Sequence, residues 1–539
     1  MTKKLFGIVC AVALAAGMAV PGCAQDTPVT LTILHSNDTH STLLPFGPNK
    51  EYGGIARMSA LIKRIRARGG NVLALNAGDV FVGSFEFNKY LGYPEFKFMD
   101  GLYDAMALGN HEFDLGLDVL TGVLAGAPEL GCDLGAVTLP ALCANVEFPV
   151  GSFLASRVVP HIVREFGGVK VGVFGLANRD ELNYSSAVYA MLSDPLEAAA
   201  AQVAELKAEG CAVVVCLSHL GKAWDVQGLT AIPGIDVIVG GHSHDALARP
   251  IVVGSTIIVQ AGEFGKGLGE LKISVSGGVV SLAGYRLHDL TWGRQDPALM
   301  PRLEALKQGI VADPRFGDVF DKRVAVAARD IEQKWPEWGP RPRFRDTGIG
   351  DLVADAMKSG VRKAGVPVDI ALEVTGYTGA KIYAGKVVGN DIMRAVPYGY
   401  DPTSGLGFKI VAVPFTGELL LGLMEYSVSM VDVTRDLCLQ PSGLKFAYDS
   451  SKPAAPFGSL SRVDPFSVRV NGNPIDPAGI YLVAMNEQVC NTLAGMLPPD
   501  TLTVIPTGLF EYNLVRDFMK SLGRVRYVAE GRVVDVALR

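Results

Sequence analysis

The sequence lacks several signatures of common cofactor-dependent and nucleic-acid-binding proteins. None of its eight cysteines belongs to a CxxC pair, which argues against a structural zinc or thioredoxin-like site. No GxGxxG or P-loop segment is present, so the usual dinucleotide and nucleoside-triphosphate fingerprints are missing. Only 19% of the residues are charged and the net charge is −6, which argues against a surface for a nucleic acid polymer.

Histidine is also scarce, and its distribution is informative. The chain has eight histidines, and none of them follows position 288. Five of them lie in polar clusters that directly follow apolar, β-branched runs: His40, His111, His219, His242 and His244. The five segments are LTILHSNDTH (31–40), NVLALNAGD (71–79), AMALGNHEFD (105–114), AVVVCLSH (212–219) and VIVGGHSH (237–244). Because the carboxyl ends of parallel strands meet at one edge of an α/β sheet, this pattern predicts a site assembled from five strand ends.

The donors in these clusters are numerous enough for two metal ions. Seven imidazole, carboxylate and amide groups are candidate ligands: Asp38, His40, Asp79, Asn110, His219, His242 and His244. One tetrahedral ion takes four ligands, whereas seven donors with one bridging carboxylate can serve two ions. Two ions ~3.5–4 Å apart can share a hydroxide nucleophile and stabilise an in-line phosphoryl displacement. The mixture of nitrogen and oxygen donors favours Zn, Mn, Fe or Co over Mg or Ca.

His111 is predicted to have a different role from the ligands. It directly follows the candidate ligand Asn110, and Asp114 stands three residues further on. A carboxylate that orients an imidazole is a common way to hold a protonated general acid near a leaving oxygen. We therefore expect His111 and Asp114 to be catalytic and to assist the leaving group.

Length and patterning predict more than one domain. A chain of 539 residues exceeds a single core, and ~100–200 residues per domain suggests two or three units. Apolar strands alternate with helical stretches over residues 30–290, which predicts an α/β core with helices packed on its sheet. We place the first domain at residues 25–300, a helical linker at 301–326 and the last domain at 327–539.

The N-terminal segment, residues 1–24, has the pattern of an export signal, with a basic start and an apolar stretch too short to span a bilayer. The sequence VPGC (20–23) resembles a relaxed lipobox, in which lipid on Cys23 anchors the mature protein. Cleavage after Ala24 without lipidation is the alternative. We expect an exported, periplasmic monomer whose membrane contact, if it has one, is the lipid on Cys23.

The strand-end motifs carry a family resemblance. In this order, D-x-H, G-D, G-N-H-E, S-H and G-H-x-H resemble the calcineurin-like metallophosphoesterases. The surrounding segments resemble the bacterial 5′-nucleotidase/UDP-sugar hydrolase family: HSNDTHSTLLP, GGIARMSALIKRIR, AGDVFVGS, YDAMALGNHEFDLGLDVL, PGIDVIVGGHSHD and IIVQAGEFGKGLGEL. The resemblance implies a four-layer α/β/β/α metallophosphoesterase domain, then a helical linker and a smaller α+β substrate-binding domain.

The resemblance also implies how the ligands are divided between the two ions. One ion would be held by Asp38, His40, Asp79 and His244. The other would be held by Asp79, which bridges the two, and by Asn110, His219 and His242. His111 and Asp114 match the catalytic dyad of the family.

The C-terminal half resembles the substrate-binding domain of that family more loosely, through TGIGDLVADAM (347–357) and VNGNPIDPAGIYLVAMN (470–486). The family binds a nucleotide there with arginines and with two aromatic side chains that sandwich the base. The matching or neighbouring positions in this chain are Arg343, Arg341, Tyr398 and Tyr400.

Two departures from the family pattern bear on recognition. TGYTG (375–379) stands where the family has Gly-Gly-Gly-x-Arg, so that arginine is missing, and Gln488 stands in place of the second aromatic. Each base stack contributes ~1–3 kcal/mol, so these losses predict weak or altered nucleotide preference.

Three functions from different classes remain open on the sequence. The favoured one is a dinuclear-metal phosphatase acting on 5′-nucleotides or a related phosphorylated small molecule. A related hydrolase on the same core, acting on UDP-sugars, cyclic nucleotides or a thiol-linked sulfate, stays open because of the altered C-terminal pocket. A non-catalytic surface binding lipoprotein is disfavoured, because the ligand set and the pair of His111 and Asp114 are complete.

Overall fold

The computed structural model describes residues 28–126, 134–179, 184–334, 344–456 and 458–538. The segment predicted as an export signal lies outside these ranges, as do Cys23, Arg341 and Arg343. Within these ranges, no helix is both long enough and apolar enough to cross a bilayer.

The first half of the chain contains two β-sheets. In chain order its strands are β1 (Val29–Ser36), β2 (Asn71–Asn76), β3 (Ala105–Ala107), β4 (Ala141–Leu142), β5 (Val158–Val159), β6 (His161–Phe166), β7 (Val169–Ala177), β8 (Val213–His219), β9 (Val237–Gly240), β10 (Ile251–Val253), β11 (Thr256–Val259), β12 (Gly267–Ser276) and β13 (Val279–Asp289). The first sheet has the order β13-β12-β1-β2-β3-β4-β5, and the second has the order β10-β11-β9-β8-β7-β6. β1 to β5 pair in parallel, and so do β7, β8, β9 and β11.

Helices connect these strands and cover the outer faces of both sheets. They are α1 (Ile55–Arg66), α2 (Phe85–Tyr90), α3 (Tyr93–Met99), α4 (Gly116–Ala125), α5 (Phe153–Arg157), α6 (Ser186–Tyr189), α7 (Pro195–Ala208), α8 (Lys222–Gln227) and α9 (Met300–Val311). The start of α7 is well defined by its sequence. The Asp194 carboxylate accepts hydrogen bonds from the N–H groups of Leu196 and Glu197, and Pro195 occupies the first turn.

The two sheets pack face to face through alternate side chains. Leu31 and Ile33 of β1 meet Val213 and Val215 of β8 in the layer between the sheets. Leu34, the residue after Ile33, points to the other face of the sheet and lies in the core between the first sheet and its helices. This alternation follows from the two-residue period of a strand. The order of helix, sheet, sheet and helix confirms the predicted four-layer α/β/β/α domain, which we call the metal-ligand domain.

The second half forms a smaller α+β unit, which we call the C-terminal domain. Its strands are β14 (Arg323–Ala327), β15 (Ile370–Val374), β16 (Gly385–Val388), β17 (Lys409–Thr416), β18 (Leu439–Ser442), β19 (Leu444–Tyr448), β20 (Arg469–Val470), β21 (Asn473–Pro474), β22 (Ile480–Asn486), β23 (Ile505–Phe510), β24 (Arg524–Val525) and β25 (Val533–Asp535). Its helices are α10 (Gly348–Lys363), α11 (Gly389–Ala395), α12 (Gly417–Ser429), α13 (Glu487–Met496) and α14 (Glu511–Leu522). The sheet orders are β16-β14-β24, β18-β15-β22-β17-β23 and β21-β20-β19-β25.

Buried contacts join the two domains. The ring of Phe85 in α2 packs edge-to-face on Tyr512 of α14, with centroids 5.2 Å apart, and its N–H donates to Asn390 Oδ1 at 3.1 Å. Asn88 Nδ2 donates to the carbonyl oxygen of Gly405 at 2.9 Å. The C-terminal domain is therefore docked through apolar packing and buried hydrogen bonds, which decide which of its residues face the strand ends.

Candidate metal centre

The predicted ligands meet at the carboxyl ends of the parallel strands. Two groups of three side chains have their ligand atoms within 4.8 Å of one another: Asp38, His40 and His244, which we call the first ligand group, and Asp79, His219 and His242, which we call the second. Each group draws on more than one strand end, because β1, β2, β8 and β9 all finish at this edge of the domain. The sheet topology therefore assembles donors that are up to about two hundred residues apart in sequence.

The first ligand group contains two imidazole nitrogens and one carboxylate at short range. His40 Nε2 lies 3.1 Å from His244 Nε2, and His244 Nε2 lies 3.4 Å from Asp38 Oδ1. The other ring nitrogens are held from behind: His40 Nδ1 lies 3.2 Å from the Phe81 carbonyl oxygen and His244 Nδ1 lies 2.7 Å from Glu263 Oε2. Such outer partners fix the orientation of each ring, so that Nε2 faces the cluster.

The second ligand group has buried donor atoms with no hydrogen-bond partner. His219 Nε2 lies 2.9 Å from Asp79 Oδ2 and has no other hydrogen-bond partner among the described residues. Asn110 Oδ1 is likewise buried and without a partner there. His219 Nδ1 is bound to the Ala77 carbonyl oxygen at 2.7 Å. Buried polar atoms without a hydrogen-bond partner are uncommon in folded proteins, and here such atoms belong to predicted metal ligands.

The backbone at the ligand positions is strained. Five of the seven predicted ligands have φ between 45° and 69°, in the left-handed region that side chains with a Cβ seldom adopt: Asp38, His40, Asp79, His242 and His244. The neighbouring Phe264 also has φ of 57°. Strain of this kind costs of order 1–3 kcal/mol per residue and persists where the surrounding structure enforces it, typically at functional sites.

Gly109 allows the second ligand group to close up. A Cβ at this position would lie 2.2 Å from Asp79 Oδ1 and 2.8 Å from His219 Nε2, both far inside contact distance. A side chain here would displace the ligands themselves. This requirement explains the glycine that precedes Asn110 in the predicted G-N-H-E motif.

Several supporting residues were not predicted as site residues from the sequence. Glu112 accepts hydrogen bonds from the N–H groups of Asp79, Val80 and Gly109 at 2.6–3.1 Å, and so fixes the turn that carries Asp79. Asn178 Nδ2 lies 3.4 Å from His242 Nε2. Glu112 belongs to the same motif as Asn110, which is a signal that could have found it, whereas nothing local marks Asn178.

The histidines keep the buried carboxylates ionised. Burial alone would raise the pKa of Asp79, but His219 and His111 hold it well below its usual range. Burial would also raise the pKa of Asp38, and His244 outweighs that effect. Burial and His244 lower the pKa of His40 to about 3, so its imidazole is neutral. The ionised carboxylates and the neutral imidazole of His40 match the protonation states that metal ligands require, whereas His219 and His244, whose pKa the carboxylates raise to about 9, would release a proton on binding an ion.

These features together fit two divalent cations. The two groups supply imidazole nitrogens and carboxylate oxygens, and the amide oxygen of Asn110 is buried without a hydrogen-bond partner among the described residues. Borderline ions such as Zn, Mn, Fe and Co accept this mixture of nitrogen and oxygen donors.

His111 is held by two carboxylates. Its Nδ1–H donates to Asp114 Oδ2 at 2.7 Å, and its Nε2 lies 3.9 Å from Asp79 Oδ2. Burial opposes the charged form, but Asp114 and Asp79 raise the pKa of His111 to about 10. Carboxylates raise the pKa of two of the predicted ligand histidines to about 9 in the same way, and His40, Asp79 and His111 also lie within 4.8 Å of one another. The role of His111 as an acid therefore rests on its pairing with Asp114 and not on its protonation alone.

The C-terminal domain brings Tyr398 to this site. The Tyr398 ring stacks on His111, with centroids 5.4 Å apart and an interplanar angle of 27°. Tyr377 of the TGYTG segment packs edge-to-face on Tyr398 at 6.1 Å, and burial raises the pKa of its hydroxyl against the opposing influence of the nearby Thr492 and Gln488. The two departures from the family pattern therefore lie near each other.

The remaining predicted substrate-binding residues are not gathered at His111 in the same way. Tyr400 lies near Arg315, which forms an ion pair with Asp313 at 2.8 Å. Arg341 and Arg343 lie outside the described residues. Of the predicted recognition residues that the structure describes, Tyr398 is the one in contact with the pair of His111 and Asp114.

Comparison with known families covers both domains. Residues 31–246 match the family described as calcineurin-like phosphoesterase. Residues 333–496 match the family described as 5′-nucleotidase, C-terminal domain. The first match contains every predicted metal ligand, and the second contains Tyr398 and Tyr377.

Individual proteins resemble the chain over nearly its full length. It is similar to the solved structure of a 5′-nucleotidase precursor from Thermus thermophilus, with 32% identity and a TM-score of 0.77, over 94% of this chain and 99% of that one. It is 27% identical to a 5′-nucleotidase of Diplobatis ommata over 99% of this chain and 93% of the relative. It is also 27% identical to the trifunctional nucleotide phosphoesterase protein YfkN of Bacillus subtilis, over 96% of this chain but only 36% of that relative's length.

Proposed function

We propose that this chain, which belongs to the calcineurin-like metallophosphoesterases with a 5′-nucleotidase C-terminal domain, releases phosphate from nucleotides. It is a metal-dependent phosphoester hydrolase with a dinuclear centre. The observation that carries the nucleotidase proposal is the meeting of two ligand groups, a protonated His111 and the C-terminal Tyr398 at one edge of the metal-ligand domain.

In this proposal the seven predicted donors hold the two ions, with Asp79 shared between them. When bound, two divalent ions activate water and neutralise charge on the phosphoryl oxygens. The positions of Glu112, Glu263 and the Ala77 carbonyl oxygen, behind the ligands, keep the donor atoms in place before any ion arrives.

His111 supplies the proton that the leaving oxygen needs. Asp114 accepts the Nδ1–H of His111 and leaves the Nε2–H directed toward the cluster. A phosphoester is cleaved more readily when its leaving oxygen is protonated as the bond breaks, and a positioned acid typically contributes ~10²–10⁴-fold. Stacking of Tyr398 on the imidazole limits the access of water to this acid.

The nucleotide is the substrate that the family relationship favours, and the relatives named as 5′-nucleotidases support it. A second candidate is a phosphoester without a base, such as a sugar phosphate, or another ester of the kind that a multifunctional nucleotide phosphoesterase accepts. The observation favouring it is that Tyr398 is packed between other aromatic groups, while Gln488 replaces a stacking side chain.

We also propose that the protein is exported and acts as a monomer in the periplasm, anchored by lipid on Cys23. The basic and apolar pattern of residues 1–24 supports export. We retain the division into a metal-ligand domain (25–300), a linker (301–326) and a C-terminal domain (327–539).

The test is a hydrolysis assay of protein loaded with Zn, Mn, Fe or Co that follows inorganic phosphate from the monoesters and the monophosphate products from cyclic nucleotides and UDP-glucose. AMP, other 5′-nucleotides, cyclic nucleotides, UDP-glucose and sugar phosphates are compared, with chelator-treated protein as the control. We expect metal-dependent release from 5′-nucleotides. Release from a sugar phosphate but from no nucleotide would contradict the nucleotidase assignment while leaving the dinuclear phosphatase intact.

A further inference from the structure

Arg394 is a buried cation that the C-terminal domain inserts into the metal-ligand domain. It lies in α11 and is 3% exposed. Its Cζ lies 3.9 Å from the ring centre of Phe46 and 4.6 Å from that of Phe264. Its Nη1 donates to Thr42 Oγ1 at 2.9 Å. All three partners belong to the metal-ligand domain, so the guanidinium is a contact across the domain boundary.

The rest of this guanidinium lacks hydrogen-bond partners. Among the described residues, Nε and Nη2 of Arg394 have no acceptor. Burial lowers the pKa of Arg394 to about 10, against the influence of Glu86 and Asp391, so the group stays charged at neutral pH. A buried charge without such partners is unusual unless its position serves a purpose. Here the faces of Phe46 and Phe264 provide cation–π contacts in compensation.

Two of the three residues that Arg394 contacts in the metal-ligand domain, Thr42 and Phe264, lead on to the first ligand group. Thr42 Oγ1 lies 3.3 Å from the His40 carbonyl oxygen and can donate to it. The N–H of Phe264 donates to the Asp38 carbonyl oxygen at 2.7 Å. The Phe264 ring packs on His40, with ring centres 5.6 Å apart, and on His244, with ring centres 6.1 Å apart. Arg394 thus reaches all three ligands of the first group through one intervening residue.

The second ligand group has supports of a different origin. His219 is oriented by the Ala77 carbonyl oxygen, and the turn that carries Asp79 is fixed by Glu112. These supports lie within the metal-ligand domain and do not depend on how the C-terminal domain is docked. A loss of the Arg394 contacts should therefore affect the two groups unequally.

We propose that Arg394 is a positioning residue, through which the C-terminal domain holds Thr42 and Phe264 and thereby the geometry of the first ligand group. The inference rests on the proposed dinuclear function. It makes the docking of the C-terminal domain and the retention of one of the two ions interdependent, in addition to any role of that domain in substrate binding.

Chelator-driven metal release from the loaded protein tests this proposal. Each ion's release rate is measured for the wild type and for Arg394→Met, which keeps an aliphatic stem of similar length but removes the guanidinium. Loss of outer support typically weakens metal binding by ~10–100-fold, and Arg394 is one layer further out, so we expect one ion to leave about tenfold faster. The other ion should leave at the wild-type rate. Arg394→Lys, which keeps a cation between the rings, should recover part of the difference.

Asn88→Ala is the matched control, because it removes a buried hydrogen bond to Gly405 at the same domain interface without contacting the first ligand group. It should release both ions as the wild type does. Equal acceleration of both ions in Arg394→Met and Asn88→Ala, or unchanged release in Arg394→Met, would overturn the proposal. If Arg394→Met does not fold, Thr42→Val provides the same test for the hydrogen bond between Arg394 and Thr42. A wild type that binds fewer than two ions would instead refute the proposed dinuclear function.

Discussion

Two regions of this molecule bury carboxyl groups and treat them in opposite ways. At the strand ends, His219 and His111 hold the pKa of Asp79 well below its usual range in spite of burial. In the core of the C-terminal domain, burial and then Glu373 raise the pKa of Glu511 well above its usual range. The carboxylates of the first region stay ionised and can bind cations, whereas the carboxyl groups of the second region are protonated, which lowers the cost of burying them. Burial alone therefore does not identify a functional carboxylate, and the neighbouring groups decide the outcome.

The largest effect is expected when the ionised region loses its shared carboxylate. Asp79→Ala should lose both ions, because Asp79 is the proposed bridge, and turnover should fall to the level of the chelator-treated protein. Metal content by elemental analysis checks this. His288→Ala is the control, since His288 forms an imidazole–carboxylate contact with Glu270 at 2.7 Å on β12 and β13, outside both ligand groups. Two ions retained in Asp79→Ala would rule out the bridging role.

His111→Ala should reduce turnover by ~10²–10⁴-fold while both ions remain bound, because it removes the proposed acid and no ligand. Asp114→Asn should cause a smaller loss and should also shift the pH profile. The acid must be protonated, so turnover falls as the pH rises through its pKa. Asp114 raises that pKa, so its neutralisation should move the alkaline limb of kcat to lower pH. His161→Ala, which removes an imidazole held by Gln202, is the control.

An unchanged rate in His111→Ala with a substrate whose leaving group is poor would remove His111 from the mechanism. Loss of one ion in the same variant would reassign His111 as a ligand, which the grouping of His40, Asp79 and His111 geometrically permits. Metal content and rate therefore have to be measured on the same sample.

Recognition should respond more weakly than chemistry. Tyr398→Ala should raise KM for nucleotides by on the order of tenfold, with a smaller change in kcat, since one stack contributes ~1–3 kcal/mol. The wild type should have a raised KM for AMP and similar efficiencies for purine and pyrimidine nucleotides. Tyr400→Ala provides the comparison, because Tyr400 lies near Arg315 and not against the ring of His111. Micromolar KM for AMP with strong adenine selectivity would show that other residues form a second stacking face.

The smallest effect concerns the buried carboxyl groups of Glu373 and Glu511 in the C-terminal domain. Glu373 and Glu511 have raised pKa values, so the folded protein keeps a proton that the unfolded chain releases above about pH 4.3. The free energy of unfolding should therefore fall as pH rises above that value, by at most about 1.4 kcal/mol per pH unit for one proton, until the folded pKa is passed. Glu511→Gln should flatten this slope in denaturant titrations with chelator present. The exposed Glu418→Gln should leave the slope unchanged, and an identical slope in both variants would contradict the assignment.

The strand ends were predictable because their chemistry is local. A buried apolar run followed at once by Asp, His or Asn specifies both the strand and the donor it delivers, so the ligands and the α/β class follow from short segments. Arg394 had no such signal: its contact with Thr42 spans 352 positions and depends on how two domains dock. Tyr377 and Gln488 are also brought together only by tertiary structure, in this case within the C-terminal domain. When the role of a residue depends only on tertiary contacts, the neighbouring sequence contains no pattern that predicts it.

The left-handed backbone at five ligand positions has a consequence for the history of such a chain. Glycine and, to a lesser degree, asparagine adopt this conformation with little strain. A mutation from His242 to glycine would therefore delete a metal donor and relax the backbone in one step. Stability and catalysis are opposed at these positions, so drift without selection for turnover runs toward a more stable and inert protein. Metal-ligating side chains at such strained turns are therefore expected only where selection for turnover retains them.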